Sequence, residues 1–234
     1  MKTLSAFTLI FFGGAFSASA ISCGTVATPG ACTLNVNNQV QYTFSNFAFV
    51  TNSNSGGAPL VTADNINLNL ITGGGLSGIL QVSKATTTAN PSVVFLANNG
   101  GVSTFAFSYD LSIAAIGAGT VSLINPASVE LNTSSFTNNG SGAVQLVLSG
   151  APTCQAITTS TLDICTLPAG TTTTLSTGNI IALAGNSGNV SIGTFSNIYN
   201  ASFTPDPQTS VPEPSSYALF GAGLAAIGYL RRRQ

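Results

Sequence analysis

Between Thr104 and Ile113 the sequence alternates with a period of two. Phe105, Phe107, Tyr109, Leu111 and Ile113 share one parity, and Ala106, Ser108, Asp110 and Ser112 share the other. Successive side chains of a strand point to opposite faces, so this run predicts a strand with one apolar face and one small or polar face. Asn65 to Ile71 repeats the pattern, with Ile66, Leu68 and Leu70 set against Asn65, Asn67 and Asn69. In Gln39 to Thr51, Val40, Tyr42 and Phe44 take one parity while Phe47 and Phe49 take the other. The phase slips at Ser45-Asn46, which predicts a bulge or bend. Further strands are expected at Ile79–Ser83, Ser92–Leu96, Thr120–Ile124, Ser128–Leu131, Ala143–Leu148, Asn179–Ala184, Asn189–Phe195 and Asn197–Phe203. Gly- and Asn-rich stretches that tolerate positive φ separate them: Asn54 to Gly57, Gly73 to Gly75, Asn98 to Gly101, Asn138 to Gly140 and Asn186 to Gly188. No segment of the body shows a 3.6-residue period. The expected fold class is all-β, an antiparallel β-sandwich or jelly-roll-like body over residues 21–203. A β-solenoid is the competing architecture, but no fixed repeat supports it.

Charge narrows the function classes. Charged residues make up 5% of the chain, against about 25% in ordinary soluble proteins. Ile21 to Ser210 holds one base (Lys84) and five acids (Asp64, Asp110, Glu130, Asp163 and Asp206), a net charge of 1 − 5 = −4. Such a body has no basic face for nucleic acid. The chain has no His, which excludes Ser-His-Asp and Cys-His catalysis and any His-ligated metal. The five acids are scattered, with none in a local motif. Asp110 alternates outward on its strand, Glu130 lies at a strand centre, and both read as surface residues. Asp64 precedes a strand and reads as a turn residue; a calcium site built from Asp64 and Asn65 has no loop signature. The expectation is therefore no enzyme, no metal and no cofactor.

The N-terminus reads as a secretory signal peptide over residues 1–20. Lys2 is its basic start, Leu4 to Phe16 its apolar segment, and Ala18-Ser19-Ala20 its A-x-A cleavage site, giving a mature start near Ile21. The implied partners are the Sec translocon and signal peptidase. An even cysteine count in an exported chain favours disulfides. Four cysteines allow three connectivities; the two local pairs, Cys23–Cys32 and Cys154–Cys165, are favoured. Each closes a loop of about ten residues and contributes roughly 2–3 kcal/mol in the loop-entropy picture. A four-thiolate metal site lacks the C-x-x-C spacing it would need.

The C-terminus has three parts in a fixed order. After a Pro-rich linker at 204–210 comes Val211-Pro212-Glu213-Pro214-Ser215. An uncharged apolar run, Tyr217 to Leu230, follows, and then a basic stop, Arg231-Arg232-Arg233. The run has 14 residues, or about 21 Å as a helix, which is short for a hydrocarbon core of about 30 Å. The Arg side chains can snorkel to make up length. Their position puts the C-terminal end in the cytoplasm. This order, over residues 211–234, resembles the PEP-CTERM sorting signal of Gram-negative bacteria, a C-terminal domain also named for some ice-binding proteins. The resemblance implies recognition near Pro212-Glu213-Pro214 by an exosortase, a membrane-embedded cysteine protease-transpeptidase. It further implies export through a membrane-anchored precursor to the cell surface or an exopolysaccharide or biofilm matrix.

The expected function is thus a non-enzymatic surface or matrix protein sorted through helix 217–230 and its flanks. The alternative is a secreted carbohydrate-binding module carrying the same signal. Phe47, Phe49, Tyr199 and Phe203 are its candidate stacking residues, although aromatics at strand period are more often core. Ice binding is weaker still, because the Thr runs at 86–88 and 171–174 do not form a ladder.

Overall fold

The protein is described by a computed structural model over residues 20–86, 94–167 and 173–207, together with positions 219, 221, 222 and 231. It divides into two units, Met1–Thr204 and Pro205–Gln234. In the first unit the described strands are β1 (Ile21–Thr25), β2 (Thr33–Val36), β3 (Val40–Ser55), β4 (Ile66–Thr72), β5 (Gly78–Lys84), β6 (Phe95–Asn98), β7 (Val102–Ala115), β8 (Gly119–Thr137), β9 (Ser141–Leu148), β10 (Cys154–Ile157), β11 (Leu162–Cys165), β12 (Thr174–Ala184) and β13 (Asn189–Pro205). One sheet has the order β1-β4-β5-β13-β8-β11, with β6 also paired to β13. The second has the order β10-β9-β12-β7-β3-β2. Every pairing with a described register is antiparallel. The all-β expectation therefore holds, as two antiparallel sheets.

The alternating runs place the core. Leu68 and Leu70 of β4, Leu80 and Val82 of β5, and Phe195 and Tyr199 of β13 are fully buried. They meet Tyr42, Phe105, Tyr109, Leu111, Val144 and Leu146 of the other sheet in one hydrophobic cluster. Phe95 of the first sheet packs on Phe105 of the second, with ring centroids 4.8 Å apart. Tyr42 lies flat against β5, where a Cβ on Gly78 would come within 2.7 Å of its ring.

The phase slip in β3 has a structural cause. Ser45 pairs with Asp110 but Ala48 pairs with Ser108, so β3 carries one extra residue, and Asn46 takes φ +53°. The bulge reverses which parity faces inward, bringing Phe47 and Phe49 against the core after Phe44.

Both disulfides form as the local pairs, Cys23–Cys32 and Cys154–Cys165. Each joins the two sheets. Cys23 lies in β1, at one edge of the first sheet, and Cys32 directly precedes β2, at the matching edge of the second. Cys154 in β10 and Cys165 in β11 do the same at the opposite edge.

A polar network crosses the interior. The Asn197 side-chain amide donates to the Tyr109 hydroxyl at 2.8 Å, and that hydroxyl lies 2.8 Å from the hydroxyl of Tyr199. The Tyr199 hydroxyl lies 3.4 Å from Thr177 Oγ1, which donates to the Val147 carbonyl at 2.9 Å. Asn179 and Asn197 exchange a reciprocal amide pair at 3.0 and 2.7 Å. Tyr42 donates to the Leu76 carbonyl at 2.5 Å, with the Tyr199 carbonyl 3.1 Å away. Among the described residues no buried side-chain polar atom lacks a partner.

Candidate functional site

The outer face of the second sheet carries three depressions. Along β12 the outward residues are Thr174, Ser176, Gly178, Ile180, Ala182 and Ala184. Gly178 stands between Ser108 of β7 and Val147 of β9, and Ile180 stands between Ala106 and Gln145. A Cβ on Gly178 would lie 2.7 Å from the Phe107 carbonyl oxygen, so β12 and β7 close together and the floor stays bare. The result is an apolar depression of about 430 Å³, rimmed by Val50 and Ile180. Those two side chains are 62% and 38% exposed.

Polar ground adjoins both ends. At one end a depression of about 340 Å³ contains Ser45, Asn46, Asp110 and Ser176, the last shared with the apolar depression. Asn46 Nδ2 donates to one oxygen of Asp110 at 2.8 Å and Ser176 Oγ donates to the other at 2.6 Å. These two bonds hold the carboxyl below the usual carboxylate range. At the other end a depression of about 350 Å³ is lined by Ser141, Ala143, Gln155, Thr158 and Ala182. Beside it, Gln145 Nε2 donates to Gln155 Oε1 at 3.4 Å.

The sequence-derived candidates fare unevenly. Tyr199 is fully buried, and Phe47, Phe49 and Phe203 pack against the core; Phe47 stacks on Tyr109 at 5.6 Å. None of the four is an open stacking platform: both parities of β3 are used for packing on either side of its bulge, which takes in Phe47 and Phe49, and Tyr199 and Phe203 of β13 face the core. Asp64 lies in a one-turn 3-10 helix, Ala63–Asn65. The Asn65 side-chain oxygen accepts from Thr62 N at 3.1 Å and Thr62 Oγ1 at 3.0 Å, so it points back into its own turn. Among the described residues no three His, Cys, Asp or Glu side chains gather at a metal-binding distance. Glu130 faces outward from the first sheet, on the opposite side of the molecule from Asp110. Asp163 accepts from Gln155 N at 2.7 Å and ties β11 to β10. Lys84, the body's only base, is buried at the end of β5, and burial lowers its pKa.

In the second unit, positions 219, 221, 222 and 231 are helical, and Leu219 and Arg231 are exposed. Ala20 is exposed and directly precedes β1. Val211 to Ser215, Arg232, Arg233, Ala18 and most of the apolar run 217–230 lie outside the described residues, as do most of the two Thr runs. Among the described residues no helix is long and apolar enough to cross a membrane.

Comparison with known proteins places the C-terminal segment. Residues 210–233 match the PEP-CTERM protein-sorting motif. Motifs of this kind are sorting signals processed by exosortase-type membrane proteins, and they imply an exported precursor. No curated protein and no solved structure matches the chain.

Proposed function

We propose that the chain is a non-enzymatic protein of the cell surface or extracellular matrix, delivered there by exosortase processing of its C-terminal signal. The sorting motif at residues 210–233 carries this reading. The body agrees with it: two disulfides clamp its sheet edges, as suits an oxidising exterior. A glycosidase needs two carboxyl groups about 5–10 Å apart. Asp110 and Glu130 face away from each other on sheets whose mean planes alone are about 10 Å apart, and Asp163 is engaged with backbone at the sheet edge. Signal peptidase would release the chain near Ile21, and the exosortase would act near Pro212-Glu213-Pro214.

Intact mass spectrometry of protein from the native host, with membrane and extracellular fractions kept apart, tests the reading. The expected species lacks Met1–Ala20 and the residues after about Glu213. A chain starting at Ile21 and still ending at Gln234 would refute exosortase processing.

A further inference from the structure

We propose that the outer face of the second sheet is a binding trough for a neutral, extended polysaccharide chain. The three depressions form a series along one strand. The first and second share Ser176, and the third begins at Ala182, the next outward position after Ile180. From Thr174 to Ala184 the outward side chains of β12 span ~33 Å at about 3.3 Å per residue. That length suits a polymer better than a small molecule.

The trough is apolar in the middle and polar at both ends, so a sugar chain lying along it meets ground for its C–H faces between two sets of hydrogen-bonding groups. Pyranose rings present C–H faces and carry hydroxyls at their rims. The middle of the trough offers Val50, Ala106, Val147 and Ile180 to the former. The ends offer hydrogen-bonding groups to the latter, Asn46, Asp110 and Ser176 on one side and Gln145, Gln155 and Ser141 on the other. A carboxylate has about four lone-pair sites. Asn46 and Ser176 occupy one on each oxygen of Asp110, which fixes its orientation and leaves further acceptor capacity in the depression's lining.

Other occupants fit less well. A polyanion meets the Asp110 charge and a body of net charge −4. A peptide added as a strand needs a free sheet edge, but β12 is paired on both sides, to β7 and β9. An acyl chain would fill only the middle depression. A second copy of this chain could cover the apolar part, and the experiment below separates that case.

The proposal rests on the exported reading only for the compartment in which such a polymer is met. Its test is therefore made on the purified full chain in detergent, independent of processing. Native affinity electrophoresis is run in gels containing hydroxyethyl cellulose, glucomannan, dextran or alginate. The expected result is retardation by at least one of the three neutral polymers and none by alginate. Ile180→Arg and Asp110→Ala should each weaken that retardation at least tenfold. Gln81→Arg, on the outward face of the other sheet, should leave it unchanged. Circular dichroism checks that the variants are folded, and Val50→Arg, at the most exposed rim position, replaces any that is not. Absence of retardation in all three neutral gels, or equal retardation of wild type and folded trough variants, overturns the proposal. So does a wild-type dimer that Ile180→Arg converts to monomer, because the face would then be a subunit interface. A processing failure in the host with retardation intact would refute only the exosortase reading.

Discussion

Tyr199 joins the two sheets through its hydroxyl as well as its ring. It is fully buried between Tyr109 and Thr177, and burial pushes its pKa up to about 12 from an ordinary value of 10.0. Burial also raises the pKa of Tyr42 and, joined by the neighbouring Tyr199, that of Tyr109. The sign of the pH effect follows. Above about pH 10 the unfolded chain releases protons that the folded chain retains, so stability falls as pH rises. It is intact below pH 10, and each retained proton costs about 1.4 kcal/mol per pH unit above it. In a Tyr217→Phe/Tyr229→Phe background only these three tyrosines remain. Tyrosinate absorbance should then stay flat until the protein unfolds; a smooth titration near pH 10 without loss of circular dichroism would contradict the network. Tyr199→Phe leaves Tyr109 and Thr177 short of a partner and should cost about 1–3 kcal/mol in urea denaturation.

Strands differ in how plainly they appear in sequence. β7 is legible because every inward position from Phe105 to Ile113 is apolar. β13 is not, and it reads as two strands. Its inward set shifts parity around Gly193-Thr194, where its partner changes from β6 to β5, and the inward Asn197 interrupts the apolar pattern. Asn197 is tolerated there because Asn179 and Tyr109 satisfy its amide. β8 also reads as two strands, because Pro126 looks like a break. Its partner β11 reaches only to Ala127, so the missing N–H of Pro126 falls beyond that pairing. β1, β2, β10 and β11 escape a periodicity reading altogether. They have four or five residues each and depend on longer neighbours and on the disulfides. Cys23→Ser/Cys32→Ser and Cys154→Ser/Cys165→Ser should each lower unfolding stability by roughly 2–3 kcal/mol. Chemical denaturation measures this; an unchanged midpoint for either pair would mean that its edge is held by other contacts.

At the scale of the whole molecule, address and body separate along the chain. The sorting segment at 210–233 lies entirely in the second unit, Pro205–Gln234. β13 runs through Pro205, so the last strand takes in the first two residues read as linker. Replacing Pro212-Glu213-Pro214 with alanines should therefore change location and mass without changing body stability. Fractionation should show full-length C-termini retained with the membrane, while the thermal midpoint of the purified variant shifts by less than about 1 °C, because the replaced residues belong to the second unit and not to the body. Normal release of that variant would refute processing through Pro212-Glu213-Pro214.

The sorting motif, the two local cysteine pairs and the all-β class were readable from the chain alone. Each is written in local order or period, and local order needs no partner to be recognised. The outer trough was not readable. Ser108, Val147 and Gly178 lie far apart in sequence, as do Asn46, Asp110 and Ser176, and each set becomes neighbours only through the registers of β3, β7, β9 and β12. Register depends on how the bulged β3 and the paired strands pack their opposite faces into one core, and that is decided in three dimensions. The same packing turned Tyr199 from a candidate surface aromatic into a buried link between the sheets.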